Sequence, residues 1–257
     1  MDYRCIRLEL SENVATITFN RPQVLNAFSP QMVTELLHAL DRLAGEERAR
    51  VLVLTGAGRA FCSGADLSGE NVNAATNVLD TYYNPLIEKL YELPMPIISA
   101  VNGIAAGIGC SCALVGDIVI AARSSYFLQA FVNIGLVPDG GATWLLPRLI
   151  GKARAQAMMM LGEKISATTA ETWGLVYRTV EDHDLASTAA ALAHKMARGP
   201  TLAYTLIRRG VRESLQCGLS ETLQLERRNQ QRASASADGK EGVAAFLEKR
   251  TPQFSGH

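Results

Sequence analysis

Apolar and polar positions change period along the chain, and each change predicts an element. Ile6-Arg7-Leu8-Glu9-Leu10 alternates, as a strand with one covered face does. The turn residues Ser11-Glu12-Asn13 lead into Val14–Phe19, which predicts a hairpin. Asn20-Arg21-Pro22-Gln23 breaks it, and Ser29-Pro30 then reads as N-cap and first residue of a helix. Met32, Leu36, Leu37, Leu40 and Leu43 recur at helical spacing behind that cap. Val51–Leu54 is continuously apolar and predicts a buried strand. Ser68–Thr76 is polar and without period, the mark of a mobile loop. Leu79–Leu93 predicts a helix with Tyr83, Ile87, Leu90 and Tyr91 on one face, stopped by Pro94 and Pro96.

Two more apolar runs predict buried strands: Ile97–Val101, closed by Asn102-Gly103, and Asp117–Ala122. Helical patterns cover Ala142–Ile150, Lys152–Leu161 and Ser166–Trp173, the last starting on a Ser cap and stopping at Gly174. Val176–Val180 predicts a last strand, and Leu185–Arg198 a helix ended by Gly199-Pro200. Beyond Thr201 the pattern is helical throughout: Leu202–Gln216, Ser220–Arg232 and Asp238–Arg250. Asp238-x-x-Glu241 reads as a capping-box start for the last of them. The whole predicts an α/β core over residues 1–195 and a helical region over 196–257.

Composition narrows the classes. At 48% hydrophobic and 19% charged residues, the 257-residue chain can bury a large core and does not read as disordered. Its 25 basic and 25 acidic residues balance, which argues against a nucleic-acid or anionic-membrane binder. No apolar run is long enough to span a bilayer, and the N-terminus lacks a signal-peptide core, so a cytoplasmic protein is expected. The five cysteines are odd in number and scattered, Cys110-x-Cys112 is too tight for a zinc pair, and the four histidines show no ligand spacing. No metal is expected.

Candidate chemistry gathers at three places. Ala105–Leu114 is built almost wholly of small residues after a strand, and helix-opening N–H groups there could hold a negative oxygen. Thr55–Leu67 is a second glycine-rich turn. Asp139 is a lone carboxylate between Pro138 and Gly140. Rival readings are open to these residues. Gly107-Ile108-Gly109 lacks the third glycine of a dinucleotide fingerprint, which would fall at Cys112. Gly109-Cys110-Ser111-Cys112-Ala113 is short of a nucleophile elbow, and a hydrolase built on Ser111 would need His183 or His194 as its base. From Pro138-Asp139-Gly140 alone, Asp139 reads more readily as an N-cap or turn residue than as a catalytic acid.

Taken together these stretches resemble the crotonase (enoyl-CoA hydratase/isomerase) superfamily. The carriers are Asn20-Arg21-Pro22 with Leu25-Asn26-Ala27, then Phe61–Leu67, Pro96–Gly103 with Gly107, Gly109 and Asp117, and Gly135–Pro138 with Gly141 and Thr143. The resemblance implies a crotonase/ClpP-type spiral of strand–strand–helix units with a C-terminal helical trimerisation region. It implies a homotrimer or homohexamer acting on acyl-CoA thioesters, with coenzyme A as part of the substrate and no other cofactor. It also implies that Ala65 and Ile108 N–H hold the thioester oxygen, flanked by Gly107 and Gly109. Gln23, Val24, Leu25, Asp66 and Leu67 would line the CoA pocket, and Phe246 and Lys249 would close on it.

Hydratases of the family carry two glutamates; here those positions read Ser111 and Phe131. The acid is instead Asp139, placed as in the family's aspartate-using isomerases and its dehalogenases. Tyr83-Asn84-Pro85-Leu86, Gly116–Ser124, Pro138-Asp139 with Thr143–Pro147, and Glu241–Leu247 are similar to the branch that isomerises the ring epoxide of phenylacetyl-CoA. The implied activity is therefore an acyl-CoA isomerase: epoxide to oxepin, or a double-bond shift. The alternatives within the family are an enoyl-CoA hydratase and an Asp-nucleophile dehalogenase or thioester hydrolase.

Overall fold

The computed structural model describes residues 2–68 and 78–257, so the loop expected at Ser68–Thr76 lies, past Ser68, outside the described residues. Strands β1 (Ile6–Ser11) and β2 (Val14–Phe19) pair antiparallel with Ser11 opposite Val14. Their two-residue link, Glu12 and Asn13, has positive φ at both positions, the conformation that matches strand twist in a tight hairpin. Helix α1 (Pro30–Ala44) starts as its cap predicts, with Ser29 Oγ accepting Met32 N–H. Strand β3 (Val51–Gly56) then lies parallel to β2.

From β3 onward the chain spirals. Strand β4 (Ala60–Cys62) leaves the first sheet and starts a second. Helix α2 (Asn84–Glu92) returns the chain to β5 (Ile97–Val101) beside β3, and β6 (Ile104–Ala106) joins β4. Helix α3 (Ile108–Leu114) leads to β7 (Ile118–Ala122) beside β5, and β8 (Tyr126–Leu128) joins β6. Each turn thus adds one parallel strand to each sheet. Helix α4 (Ala142–Leu161), β9 (Ile165–Ser166), helix α5 (Ala167–Trp173) and β10 (Arg178–Val180) complete the layers, in the orders β1-β2-β3-β5-β7-β10 and β4-β6-β8-β9. Helix α4 is two helices in effect, because Gly151 breaks it with φ 76° and ψ 161°, at the place the sequence pattern divides.

The central strands β3, β5 and β7 of the large sheet are buried on both faces, which is why they read as unbroken apolar runs. Leu52 and Leu54 of β3 face a core shared with α1, α2 and α3, whereas Val51 and Val53 pack with helix α6 (Leu185–Ala197) through Leu185, Ala189 and Ala193. One α1 position departs from the apolar stripe: Glu35 is buried, and its carboxylate accepts Arg4 N–H at 3.0 Å and Cys5 N–H at 2.8 Å.

Helices α7 (Thr201–Ser214), α8 (Leu219–Ala235) and α9 (Ala237–Glu248) form the C-terminal region. Arg208 anchors α7 to the spiral through Asp117 at 2.7 Å and the carbonyls of Leu90 and Leu93. The capping box expected at Asp238 is not there. Ser236 caps α9 by accepting Gly239 N–H at 2.9 Å. Asp238 sits inside the helix and binds Ser255 N–H at 2.6 Å and Gly256 N–H at 2.8 Å, while Glu241 pairs with Arg250. These acids hold the terminal segment, a task that sequence spacing does not distinguish from capping.

Candidate active site

The first glycine-rich turn follows β4. Phe28, just ahead of α1, makes a one-residue parallel bridge with Ala65. Phe28 N–H donates to Gly64 O at 2.8 Å, and Phe28 O accepts Asp66 N–H at 3.0 Å. In a parallel ladder the central residue's own N–H points away from its partner. Ala65 N–H is turned away from Phe28 in this manner and meets no acceptor among the described residues.

The second turn lies between β6 and α3. Gly107 has φ 51° and ψ −128°, a conformation open to glycine alone, and its N–H donates to Leu128 O at 2.9 Å. Ile108 opens α3, so its N–H has no partner within the helix, and none elsewhere among the described residues. Pairing of β4 with β6, Cys62 opposite Ala105, brings the two turns together. A Cβ on Gly107 would lie 3.8 Å from Gly64 Cα, and one on Gly109 would lie 2.6 Å from Cys62 Cβ. The backbones meet at van der Waals range, and two unpaired N–H donors result.

Asp139 sits against α3. Ser111 Oγ donates to Asp139 O at 3.3 Å, and Ala142 N–H donates to the same carbonyl at 3.1 Å. Gly140 packs so tightly on Ile108 that a Cβ there would lie 2.2 Å from Ile108 Cδ1. In the Asp139 carboxylate, Oδ1 is buried and has no hydrogen-bond partner among the described residues. Burial alone pushes its pKa up to about 6. A carboxylate in that state holds or releases a proton near neutral pH.

The remaining expected site residues fall in two groups. Gln23 and Val24 are exposed on a short 3-10 turn (Pro22–Val24), and Leu25 follows with φ 53°. Ser63 N–H donates to Leu25 O at 3.0 Å, which joins this turn to the Ala65 turn. Asp66 is tied to Arg21 at 2.9 Å and to Ser68, whose hydrogen bond is the main cause of its lowered pKa. Its carboxylate is thus committed to protein partners, and Leu67 beside it is exposed. Phe131 lies over Gly107, with Cζ 3.5 Å from where a Cβ would stand. Phe246 is exposed on α9 and Lys249 is exposed just past its end; no hydrogen bond or ion pair among the described residues links either to the cradle.

The nucleophile-elbow reading fails. Ser111 is fully buried and its hydroxyl is spent on a carbonyl, while His183 and His194 face Asp184 and Glu12 at the surface. Ser111→Ala is therefore expected to keep turnover within about tenfold, the loss of one neutral hydrogen bond of ~1 kcal/mol. Steady-state assay of the purified variant checks this, and a dead but folded variant would restore the serine mechanism. Sequence reasoning missed the role of Ser111 as an anchor and the hydrogen bond of Tyr83 to Phe28 O, since Tyr83 reads as a member of an apolar helical face and of a branch motif without any assigned role.

Two unpaired backbone donors thus lie on adjacent turns of a crotonase-type spiral, and the loop of a half-buried acid packs against the second of them. A family model, Enoyl-CoA hydratase/isomerase, matches residues 9–257, and the chain belongs to that family, whose enzymes act on CoA thioesters. It is 46% identical over 253 residues to the 1,2-epoxyphenylacetyl-CoA isomerase of Escherichia coli K12, covering 96% of this chain and 97% of that one. It is 48% identical to a Rhodobacter capsulatus protein named "Probable enoyl-CoA hydratase", over the full length of both. The crystal structure of an enoyl-CoA hydratase from Bacillus anthracis superposes with a TM-score of 0.94 at 34% identity, covering 99% of this chain and 100% of that one. Among the described residues, no cluster of His, Cys, Asp or Glu could hold a metal ion, and no helix is long and apolar enough to cross a membrane.

Proposed function

We propose that the chain is an acyl-CoA isomerase in which Asp139 shuttles one proton while Ala65 and Ile108 N–H hold the thioester oxygen. The observation that carries this reading is Asp139, half-buried on a loop that packs against Ile108 through Gly140, its Oδ1 buried and unpaired among the described residues and its pKa pushed up to about 6. Asp139 takes a proton from the acyl chain next to the thioester. The electron pair moves onto the thioester oxygen, where two donors at ~2.7–3.1 Å would stabilise it by several kcal/mol. Asp139, now protonated, returns the proton further along the acyl group. Nothing is gained or lost, so the reaction is an isomerisation.

The acyl groups that fit are a 3-enoyl chain and a phenylacetyl ring carrying a 1,2-epoxide. In the latter, the carbon–carbon bond shared by epoxide and ring breaks as the ring expands to an oxepin. The E. coli relative supports this choice by its name. Hydration asks for more, since one group must activate water while another delivers the proton. Ser111 and Phe131 occupy the positions where the hydratase branch carries its glutamates, and an aromatic ring over Gly107 leaves little room for water. The name of the Rhodobacter relative favours the hydratase alternative, and the test includes it.

CoA would lie along the rim made by Gln23–Leu25 and Asp66–Leu67. Val243, Phe246 and Leu247 of α9 and Ile207 and Val211 of α7 are exposed, which supports a homotrimer, or a hexamer of stacked trimers, with Phe246 and Lys249 closing on CoA from a neighbouring copy. Buried free thiols at Cys62, Cys110 and Cys112 suit a cytoplasmic enzyme.

Crotonyl-CoA, a 3-enoyl-CoA and the phenylacetyl-CoA ring epoxide, offered side by side, test the proposal. Isomerisation of the last two with little hydration of the first is expected. Hydration at rates rivalling isomerisation would overturn it. Because the base must be ionised, kcat/KM should rise with pH through about 6 and level off above it, Asp139 gaining its charge across that window. A profile flat from pH 5 to 8 would contradict the assignment of Asp139 as the base.

A further inference from the structure

Tyr83 is buried and takes no part in the chemistry derived above. It ends a single π-helical turn, Leu79–Tyr83, closed by Asn84 N–H on Leu79 O, and such turns recur at functional sites. Its hydroxyl donates to Phe28 O at 3.4 Å. That carbonyl already accepts Asp66 N–H at 3.0 Å, and Phe28 N–H is bound to Gly64 O at 2.8 Å. Phe28 is therefore the residue whose bridge turns Ala65 N–H away from itself, and Tyr83 supplies the second donor to its carbonyl. Both lone pairs of Phe28 O are then used, and the peptide is held from two sides.

The same phenol lies near the acid. Burial raises its pKa first, and the negative charge of Asp139 next, with smaller effects of Cys62 and Asp66. The hydroxyl is consequently a donor at every working pH, and with its proton committed to Phe28 it does not neutralise Asp139. Tyr83 thus contacts the Phe28 peptide and feels the charge of Asp139.

The geometry points to Tyr83 as a positioning residue for the oxyanion donor: through Phe28 it fixes the angle of Ala65 N–H toward the thioester oxygen. This inference rests on the proposed isomerase reading. It acts through another residue, so it predicts an effect on polarisation of the substrate and not on its capture.

Tyr83→Phe keeps the ring and the packing and deletes only the hydroxyl. Turnover of a 3-enoyl-CoA is expected to fall about three- to tenfold, the scale of one long neutral hydrogen bond, with KM unchanged within about twofold. The infrared band of a ¹³C-labelled thioester carbonyl, bound as a non-reacting saturated acyl-CoA, should move back toward its solution frequency. Unchanged turnover with an unchanged band would overturn the inference. So would a loss of turnover matched by a rise in KM with the band unmoved, which is what a merely structural role gives. If the wild-type protein neither isomerises the 3-enoyl-CoA nor polarises the carbonyl, the isomerase reading itself has failed. If it does both and Tyr83→Phe behaves identically, only the role of Tyr83 has failed.

Discussion

Asp139→Asn is expected to bind acyl-CoA within severalfold of the wild-type affinity and to lose at least ~100-fold in turnover, the usual scale of a general base. The amide is nearly isosteric, so the loop held by Ser111 Oγ and Ala142 N–H should stay in place. The stability change separates a catalytic from a structural role. In the folded chain the Asp139 pKa is raised to about 6 from an ordinary value of 3.8. Ionising it in place therefore costs stability; the cost is absent below about pH 4 and complete above about pH 6. Asparagine removes that cost, so the variant should melt higher than wild type at pH 8 and show no such gain at pH 4. Thermal unfolding at the two pH values, beside steady-state kinetics, checks both halves. A variant that is both inactive and less stable at pH 8 would make Asp139 a structural residue.

Gly109→Ala is the second large expected effect, and it strikes the cradle without touching any reacting atom. The added Cβ would stand 2.6 Å from Cys62 Cβ and Sγ and 2.7 Å from Cys62 O, so α3 and β4 must part by several tenths of an ångström or more. Ala65 follows β4 by three residues and Ile108 opens α3, so their N–H groups separate with them. Misplacing one oxyanion donor costs ~100- to 1,000-fold in turnover. The circular dichroism spectrum should stay that of a folded α/β protein, with stability lower by ~1–3 kcal/mol in urea unfolding. Near-normal turnover in this variant would mean that the close approach of the two turns is not what makes the site.

Much of this frame is legible in the chain. Ser29-Pro30 and Ser166 mark helix starts because a hydroxyl at an N-cap bonds the next turn whatever the tertiary setting. The strands β3, β5 and β7 are visible because both of their faces are covered. Strands β4, β6 and β8 are not, since three residues are too short to show a period. Yet β4 and β6 bring the two glycine-rich turns together. Glu35 and Asp238 show a related limit, because a buried acid that serves distant backbone N–H groups looks the same in sequence as a solvated or capping one. Asp139 stands out between Pro138 and Gly140, but the burial of its Oδ1 without a partner among the described residues appears only once its loop is packed against α3.

The single-carboxylate shuttle is tested most directly by counting deuterium. A 3-enoyl-CoA isomerised in deuterium oxide and stopped within the first turnovers should carry less than one deuterium per product molecule. Asp139 would take a proton from one carbon and return much of the same proton to another before it exchanges with solvent. One full equivalent of deuterium in every product, with the same incorporation in the residual activity of Asp139→Asn, would contradict the account.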